Sequence, residues 1–193
     1  MQVRILGLLW SLAFLQPPVP QEKTKDYFPA PKGMEWVYEG SWRTRGDTTV
    51  VVGTEKVDDE TWTIFETKSD DPARGDTWTY YRIQEAAVHL VATAPKGGKP
   101  LERLKEPLLL LKLPLKMGDK WKLTPDSKEP ECSVDAPERV KTKAGEYLCM
   151  KVVSGDSAWW YAPDVGLVKS TRSLGSKSES NRTLTKVTSP PAK

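Results

Sequence analysis

The chain has 193 residues, of which 38% are hydrophobic, 28% charged and 9% aromatic, and eight of them are tryptophan. This much apolar and aromatic side chain excludes an intrinsically disordered protein, and the length suits one ordinary domain. The 29 Lys and Arg residues are interleaved with 26 Asp and Glu residues, so the chain has no basic stripe of the kind that binds nucleic acid.

The first residues have the pattern of an export signal. Arg4 carries the single positive charge, and an uncharged, mostly apolar run follows from Ile5 to Leu15. A transmembrane helix needs about 20 apolar residues, so we expect no transmembrane span in the mature chain. We assign residues 1–20 to a signal peptide without a defined cleavage site, and predict export to the periplasm or the extracellular space. An uncleaved anchor or a buried N-terminal helix is the alternative.

The rest of the chain divides into a polar linker at residues 21–26, a single domain at 27–187 and a loose tail at 188–193. Within the domain, short β-branched and aromatic runs lie between turn residues, and their apolar positions recur with a period of two. This pattern predicts an all-β fold, an antiparallel meander curled into a barrel or half-barrel. The predicted strands cover residues 35–42, 48–56, 61–68, 77–84, 87–93, 108–113, 120–123, 133–143, 146–153, 158–161, 167–172 and 181–187.

Two segments share the pattern Pro-x3-Gly-x2-Trp. One runs from Pro29 to Trp36 and the other from Pro114 to Trp121. Each is expected to open a strand, because glycine permits a tight bend and tryptophan supplies a large buried anchor. An internal duplication and two independently similar strand starts both explain the pattern.

The chain resembles an uncharacterised family of exported bacterial β-barrel proteins that is sometimes called TapB-like. The resemblance rests on residues 27–29, 33–38, 111–121, 143–147 and 160–169. It implies an envelope-located barrel or half-barrel and no established activity. It also implies a turn at Pro163-Asp164-Val165-Gly166. The chain departs from the family pattern at Asp58-Asp59, where a glycine is expected in the hairpin turn.

The two cysteines, Cys132 and Cys149, fit an oxidising compartment, and a disulfide between them would stabilise the fold by about 3 kcal/mol. A hairpin turning at Ala144-Gly145 would place Cys149 opposite a residue near Val140, away from Cys132. A disulfide requires Cα atoms within about 7 Å. A bonded pair and two free thiols therefore both stay open.

Few residues are suited to catalysis or metal binding. His89 is the only histidine and lies within a predicted strand, which rules out a multi-histidine metal site. The acidic runs at residues 58–60 and 70–71 lack the spacing of a calcium loop and are typical of polar turns. No Gly-x-Ser-x-Gly elbow is present. We expect no catalytic residue, no metal and no cofactor.

Aromatic residues are the main candidates for ligand contact. They are numerous for a β domain of this size, and on a curled sheet most such residues form the core. Some could instead line a concavity that stacks on sugar rings or encloses an apolar guest. Tyr81 and Tyr161 belong to the same aromatic set, and the candidate ligand-binding residues are Trp36, Tyr38, Trp42, Trp62, Trp78, Tyr80, Trp159 and Trp160.

These observations favour an exported, non-enzymatic envelope protein. It would bind a small apolar ligand in a barrel interior or serve as an assembly scaffold. The alternative is a carbohydrate-binding module that uses surface Trp and Tyr residues, and an acid–base enzyme is the third hypothesis. Sugar binding predicts exposed, coplanar aromatic rings, whereas an apolar guest predicts an internal cavity.

Overall fold

The computed structural model describes residues 25–40, 46–96, 102–126, 128, 130–173 and 179–191. The predicted signal peptide, residues 21–24 of the linker, Trp42 and the last two residues of the tail lie outside these ranges. The strands of the described residues are β1 (Glu35–Gly40), β2 (Asp47–Val57), β3 (Glu60–Ser69), β4 (Thr77–Gln84), β5 (Ala87–Pro95), β6 (Glu102–Lys112), β7 (Lys120–Trp121), β8 (Cys132–Val134), β9 (Glu138–Thr142), β10 (Gly145–Ser154), β11 (Ser157–Ala162), β12 (Gly166–Ser173) and β13 (Glu179–Thr188). The same residues contain no helix that is long and apolar enough to cross a membrane.

These strands form one antiparallel sheet, in which most strands pair with their neighbours in the sequence. The exceptions are β8 and β9, which both pair with β10, and β6 and β7, which stand at the two ends of the strand order. Strands β1 to β6 form one meander and β7 to β13 form a second. Strand β1 pairs with β13 and joins the two meanders, with Glu35 opposite Thr188. At the opposite side the backbone N–H of Leu109, in β6, donates to the carbonyl of Leu123, just beyond β7, at 2.8 Å. The sheet therefore curls into a nearly closed barrel, and the predicted all-β fold is confirmed.

Each predicted strand overlaps an observed strand, and one predicted strand is divided into two. Residues 133–143, predicted as one strand, form β8 and β9, which pair with different stretches of β10. The interruption includes Pro137, which has no backbone N–H to give to a ladder. Strands β8 and β9 are thus one strand broken at a proline.

The two Pro-x3-Gly-x2-Trp segments have the same backbone geometry. Gly33 and Gly118 have positive φ angles of 87° and 85°. Gly33 N–H donates to the carbonyl of Val51 at 2.8 Å, and Gly118 N–H donates to that of Val134 at 2.9 Å. In both segments the same valine donates back to the residue that follows the glycine, at 2.9 and 3.0 Å. Each segment therefore begins the first strand of one meander in the same way.

Two turns use the left-handed backbone region. Asp58 has a φ of 54° in the two-residue turn between β2 and β3, so an aspartate occupies the position where a glycine was expected. Aspartate tolerates this region better than most residues with a side chain. Between β11 and β12, Asp164 and Gly166 have φ angles of 60° and 85°, and they form the turn predicted at residues 163–166.

Buried side chains form three clusters. The first joins strands from both meanders and includes Trp36, Phe65 and Leu184. The second lies across the β6–β7 side of the barrel, and Leu111 and Trp121 belong to it. The first and second clusters hold the two ends of the sheet together, because both contain residues from strands far apart in the sequence.

The third cluster lies on the other face of the sheet. It includes Trp62, Ile64 and Tyr80, and Ile64 is paired with Tyr80 across β3 and β4. Successive residues of a strand face opposite sides, so Ile64 points away from its neighbour Phe65 in the first cluster. Strands β3 and β4 are therefore packed on both faces.

The segment before β1 crosses the barrel interior. Tyr27 is buried in the second cluster and Met34 in the first, while Phe28 packs against both. The carbonyl of Asp26 accepts a hydrogen bond from Asp164 N–H at 2.6 Å. This segment fills part of the space that the strands enclose.

We expect the substitution Leu184→Ala to reduce the free energy of unfolding by about 3 kcal/mol, because Leu184 is fully buried on the strand that joins the two meanders. Urea denaturation measures this change. Leu148→Ala is the control, since Leu148 is 58% exposed, and it should change the free energy by less than about 0.5 kcal/mol. Equal effects of the two substitutions would contradict the assignment of Leu184 to the core.

Candidate ligand-binding site

A cavity of about 120 Å³ opens beside the first cluster, inside the curled sheet. Strands β1, β2, β3, β4, β12 and β13 contribute to its wall, together with the segment before β1. Of the described residues that line it, only one carries a formal charge. The lining residues are Phe28, Pro29, Trp36, Tyr38, Thr49, Phe65, Thr67, Tyr81, Gly166, Leu167 and Arg182.

Aromatic rings form one wall of the cavity. Phe65 is at its centre, with the ring centroids of Tyr81, Phe28 and Trp36 at 4.9, 5.5 and 5.8 Å. Trp36 stacks on Phe65 with an interplanar angle of 15°, and its indole N–H donates to the carbonyl of Val165 at 2.6 Å. Edge-to-face and offset stacked rings pack favourably, so this wall is an ordered apolar surface.

Arg182 and two threonines form the polar wall. The Arg182 Nε donates to Oδ2 of Asp47 at 2.8 Å, and its Nη2 donates to the other carboxylate oxygen. The same Nη2 donates to Thr49 Oγ1 at 3.0 Å, and the hydroxyls of Thr49 and Thr67 lie 3.2 Å apart. The guanidinium also lies 3.6 Å from the ring centroid of Tyr38. Arg182 is therefore held in a fixed position beside the cavity.

This arrangement follows from the order of the strands. Arg182 belongs to β13 and Asp47 to β2, and the two strands flank β1. The ion pair therefore crosses β1 above Tyr38, whose hydroxyl donates to the carbonyl of Leu167 at 2.9 Å. Side-chain exposures of 23% for Arg182 and 17% for Asp47 show that the pair is largely removed from water.

The interior disfavours charge on the tyrosines. Burial raises the pKa of Tyr38 and Tyr161, and it raises the pKa of Tyr81 to about 12. Burial also opposes the charge of Arg182, but the hydrogen bonds to Asp47 outweigh it and raise the pKa of Arg182. The polar groups near the cavity are thus neutral hydroxyls and one paired guanidinium.

Only some of the predicted aromatic residues are near the cavity. Trp36 and Tyr38 line it. Trp62, Trp78 and Tyr80 belong to the third cluster, on the opposite face of the sheet.

Two more of the predicted residues lie on β11. Trp159 packs against the second cluster, and Trp160 lies in the first. The ammonium groups of Lys151 and Lys169 lie 5.4 and 4.8 Å from a ring centroid of Trp160.

The surface platform that a carbohydrate-binding module needs is not formed by these residues. Each predicted aromatic residue that the structure describes is buried or half-buried. The reason is that the sheet is packed on both faces at β3 and β4, so residues on either side of a strand become core. Trp42, outside the described ranges, is the one candidate without a position.

The third cluster contains a buried carboxylate. Glu66 accepts a hydrogen bond from the indole N–H of Trp78 at 3.2 Å and lies 3.1 and 3.5 Å from the ammonium groups of Lys96 and Lys68. Burial alone would raise its pKa, but these partners lower it. Nearby, hydrogen bonds from Trp62 and Arg82 lower the pKa of Glu60. Both carboxylates are stabilised in the charged form, which suits a structural role.

The single histidine lies on the same face as these groups. His89 is in β5, opposite Arg82 of β4. Burial lowers its pKa, and the charge of Arg82 acts in the same direction. Within the described parts of the chain, no group of three or more His, Cys, Asp or Glu residues is placed to hold a metal ion.

The cysteines are free thiols, so of the two open possibilities the disulfide is wrong. Both are buried, Cys149 in the first cluster and Cys132 in the second. Ser133 pairs with Val153 of β10, which places Cys132 beside the far end of β10 from Cys149. Burial raises the pKa of Cys149 to about 12, and it also raises that of Cys132.

The residues that define the polar wall were missed in the sequence. Arg182 and Asp47 lie 135 positions apart, so no local pattern connects them. A charged residue inside a predicted strand was the available signal, because Arg182 is the second residue of the strand predicted at 181–187. Phe28 was missed because it precedes the first strand.

No family model and no curated protein matches the chain. Among solved structures, it is similar to a presumed exported protein with a YmcC-like fold from Bacteroides fragilis, with a TM-score of 0.57 and 15% identity over 86% of this chain and 100% of that one. It also matches a presumed lipoprotein from Parabacteroides distasonis, with a TM-score of 0.47 and 15% identity over the same shares. The first likeness shows that the chain has a YmcC-like fold. The TapB-like name finds no support in these comparisons.

We expect the tyrosines to ionise at higher pH in the folded protein than in the unfolded chain. All six tyrosines have a raised pKa in the folded state. Their neutral hydroxyls therefore favour the folded protein, and this stabilisation is fully present at a pH below the unfolded pKa of about 10. This stabilisation is lost as the pH rises through the folded values. Ultraviolet absorbance during an alkaline titration measures tyrosinate, with the protein in guanidinium chloride as the reference. Coincident titration curves would contradict the burial of these hydroxyls.

Glu66 should make the fold sensitive to acid. Its folded pKa lies below its ordinary value of 4.5, so the stabilisation it gives is present above that pH and is lost as the pH falls through the folded value. Urea denaturation at a series of pH values should show a steeper loss for the natural protein than for Glu66→Gln. Glu39→Gln is the control, because Glu39 forms an exposed ion pair with Lys143 and should leave the slope unchanged.

Proposed function

We propose that the protein is an exported, non-enzymatic envelope protein that binds a small, mainly apolar ligand in the cavity of its barrel. The observation that carries the proposal is the cavity itself, which is lined by aromatic rings next to a short row of polar groups. Ligand sites commonly combine apolar walls with a few fixed polar groups.

The volume of the cavity limits the size of the guest. A cavity of about 150 Å³ accommodates benzene, whereas sites for drug-sized ligands have about 300–1,000 Å³. At about 120 Å³ the cavity takes one ring or the end of a short chain. The proposed ligand is therefore a small molecule, or the terminal group of a larger one that extends out of the cavity.

Broader depressions flank the site but have a different character. Two of them, of about 560 and 320 Å³, lie on either side of the segment before β1 and share Lys25 and Tyr27. Their walls include the exposed residues Gln84, Glu85 and Leu148. We place the ligand in the smaller cavity because its walls are largely buried and its polar groups are fixed.

The non-enzymatic role is supported by the titratable groups. A general acid typically has a carboxyl pKa raised towards the working pH. Glu60 and Glu66, the described carboxyl groups with a clear shift, are shifted downwards instead. The described residues that line the cavity include no carboxyl group and no histidine.

Export is supported by two observations. The apolar run that follows Arg4 has the length of a signal-peptide core. The Bacteroides fragilis structure with the shared fold is described as that of a presumed exported protein. A role as an assembly scaffold is the alternative if the cavity binds nothing.

Native mass spectrometry of the protein purified gently from its own source tests the proposal. We expect a reproducible added mass that is lost when the protein is denatured. Thr67→Leu should abolish it, because the larger side chain would occupy the cavity that Thr67 lines. Thr61→Leu is the matched control, since Thr61 is exposed on the same strand and does not line the cavity.

The outcomes separate the two roles. An added mass that Thr67→Leu removes and Thr61→Leu retains supports the binding role. An added mass that survives Thr67→Leu places the ligand elsewhere and contradicts the proposed site. If the native mass equals that of the protein alone, and small aromatic compounds added to the protein do not bind, the binding role is contradicted and a scaffold is favoured.

A further inference from the structure

We infer that the cavity selects an uncharged guest, one ring bearing a neutral hydrogen-bonding group, and that Asp47 determines this selectivity. The inference rests on the proposed function and adds the chemical class of the ligand. Its basis is the ion pair in the polar wall, which joins the guanidinium of Arg182 to a carboxylate that lies behind the cavity wall.

An arginine at the wall of an apolar cavity ordinarily favours a carboxylate guest, because its planar fork matches two carboxylate oxygens. Here Asp47 already takes the Nε–Nη2 edge of the guanidinium, and Nη2 also donates to Thr49. Asp47 does not line the cavity, so a guest cannot reach its place without breaking the pair. The positive charge is therefore neutralised before any guest enters.

A carboxylate guest would bring an unmatched charge into the cavity. Arg182 is the only charged residue among those that line it, and its charge is balanced by Asp47. The tyrosines nearby favour their neutral forms. Removing an anion from water without a compensating partner costs several kcal/mol, so the cavity excludes it.

A neutral polar group has partners in the same wall. The hydroxyls of Thr49 and Thr67 line the cavity and lie 3.2 Å apart. Thr49 Oγ1 is already within hydrogen-bond distance of Arg182, Asp47 and Thr67. A threonine hydroxyl both donates and accepts, so Thr67 is the group that can hold a hydroxyl or an amide of the guest. The ring of the guest would then lie against the neighbouring rings of Phe65 and Tyr81.

Two probes with the same ring test the inference, benzyl alcohol and benzoate at neutral pH. Titrations followed by NMR of the whole protein should show that benzyl alcohol binds at least about tenfold more tightly than benzoate. Asp47→Asn removes the internal counter-charge of Arg182, so we expect the order to reverse, with benzoate gaining roughly ten- to hundredfold. Glu39→Gln removes the same formal charge at an exposed site and should leave the ratio unchanged.

The results distinguish this inference from the proposed function. If benzoate binds the natural protein as tightly as benzyl alcohol does, the inference is overturned, but the proposed ligand-binding function still stands. Binding of neither probe overturns both. A folded Asp47→Asn protein with an unchanged ratio overturns the role of Asp47. If Asp47→Asn does not fold, the ratio in the natural protein still decides whether the cavity selects an uncharged guest.

Discussion

The joining of the two meanders at their edge strands is the constraint on which the rest of the molecule depends. A meander of six strands leaves two edges with unpaired backbone groups, and such edges either join another strand or invite aggregation. This chain has two meanders, and each supplies the partner for the edges of the other. At one junction β1 pairs with β13, and at the other the backbone of Leu109 bonds to that of Leu123. A tryptophan stands at each junction and donates its indole N–H to a backbone carbonyl, Trp36 to Val165 and Trp121 to Leu109.

Closure also explains why the interior is mostly filled. A sheet of this many strands encloses more space than its own inward side chains need, and protein interiors are close-packed. The segment before β1 supplies the missing volume by placing Tyr27, Phe28 and Met34 among the clusters. The space that is left is small and is bordered by one buried ion pair. The size and the charge of the candidate site are thus by-products of how the barrel is closed.

The strands could be predicted from the sequence, but the candidate site could not. Alternating apolar residues and turn residues identified each strand, because these signals are local. The face on which a residue lies was harder to assign, since bulges shift the register, as between Trp160 and Tyr161, and exchange inside for outside. Trp62 and Trp36 were both candidate ligand-binding residues, although the two lie in different clusters. The pairing of Arg182 with a residue of β2 depends on the closure of the barrel, which no local pattern reports.

The junction between β1 and β13 also affects how the chain reaches its fold. The other ladders join strands that are neighbours or next but one in the sequence, whereas β1 and β13 are the first and the last strand of the described residues. Contacts with such wide sequence separation form slowly, because the loop entropy is lost before the contacts are gained. During synthesis, β13 becomes available to pair with β1 only after almost all of the described strands have been made. One edge of β1 therefore stays without its partner until β13 joins the sheet.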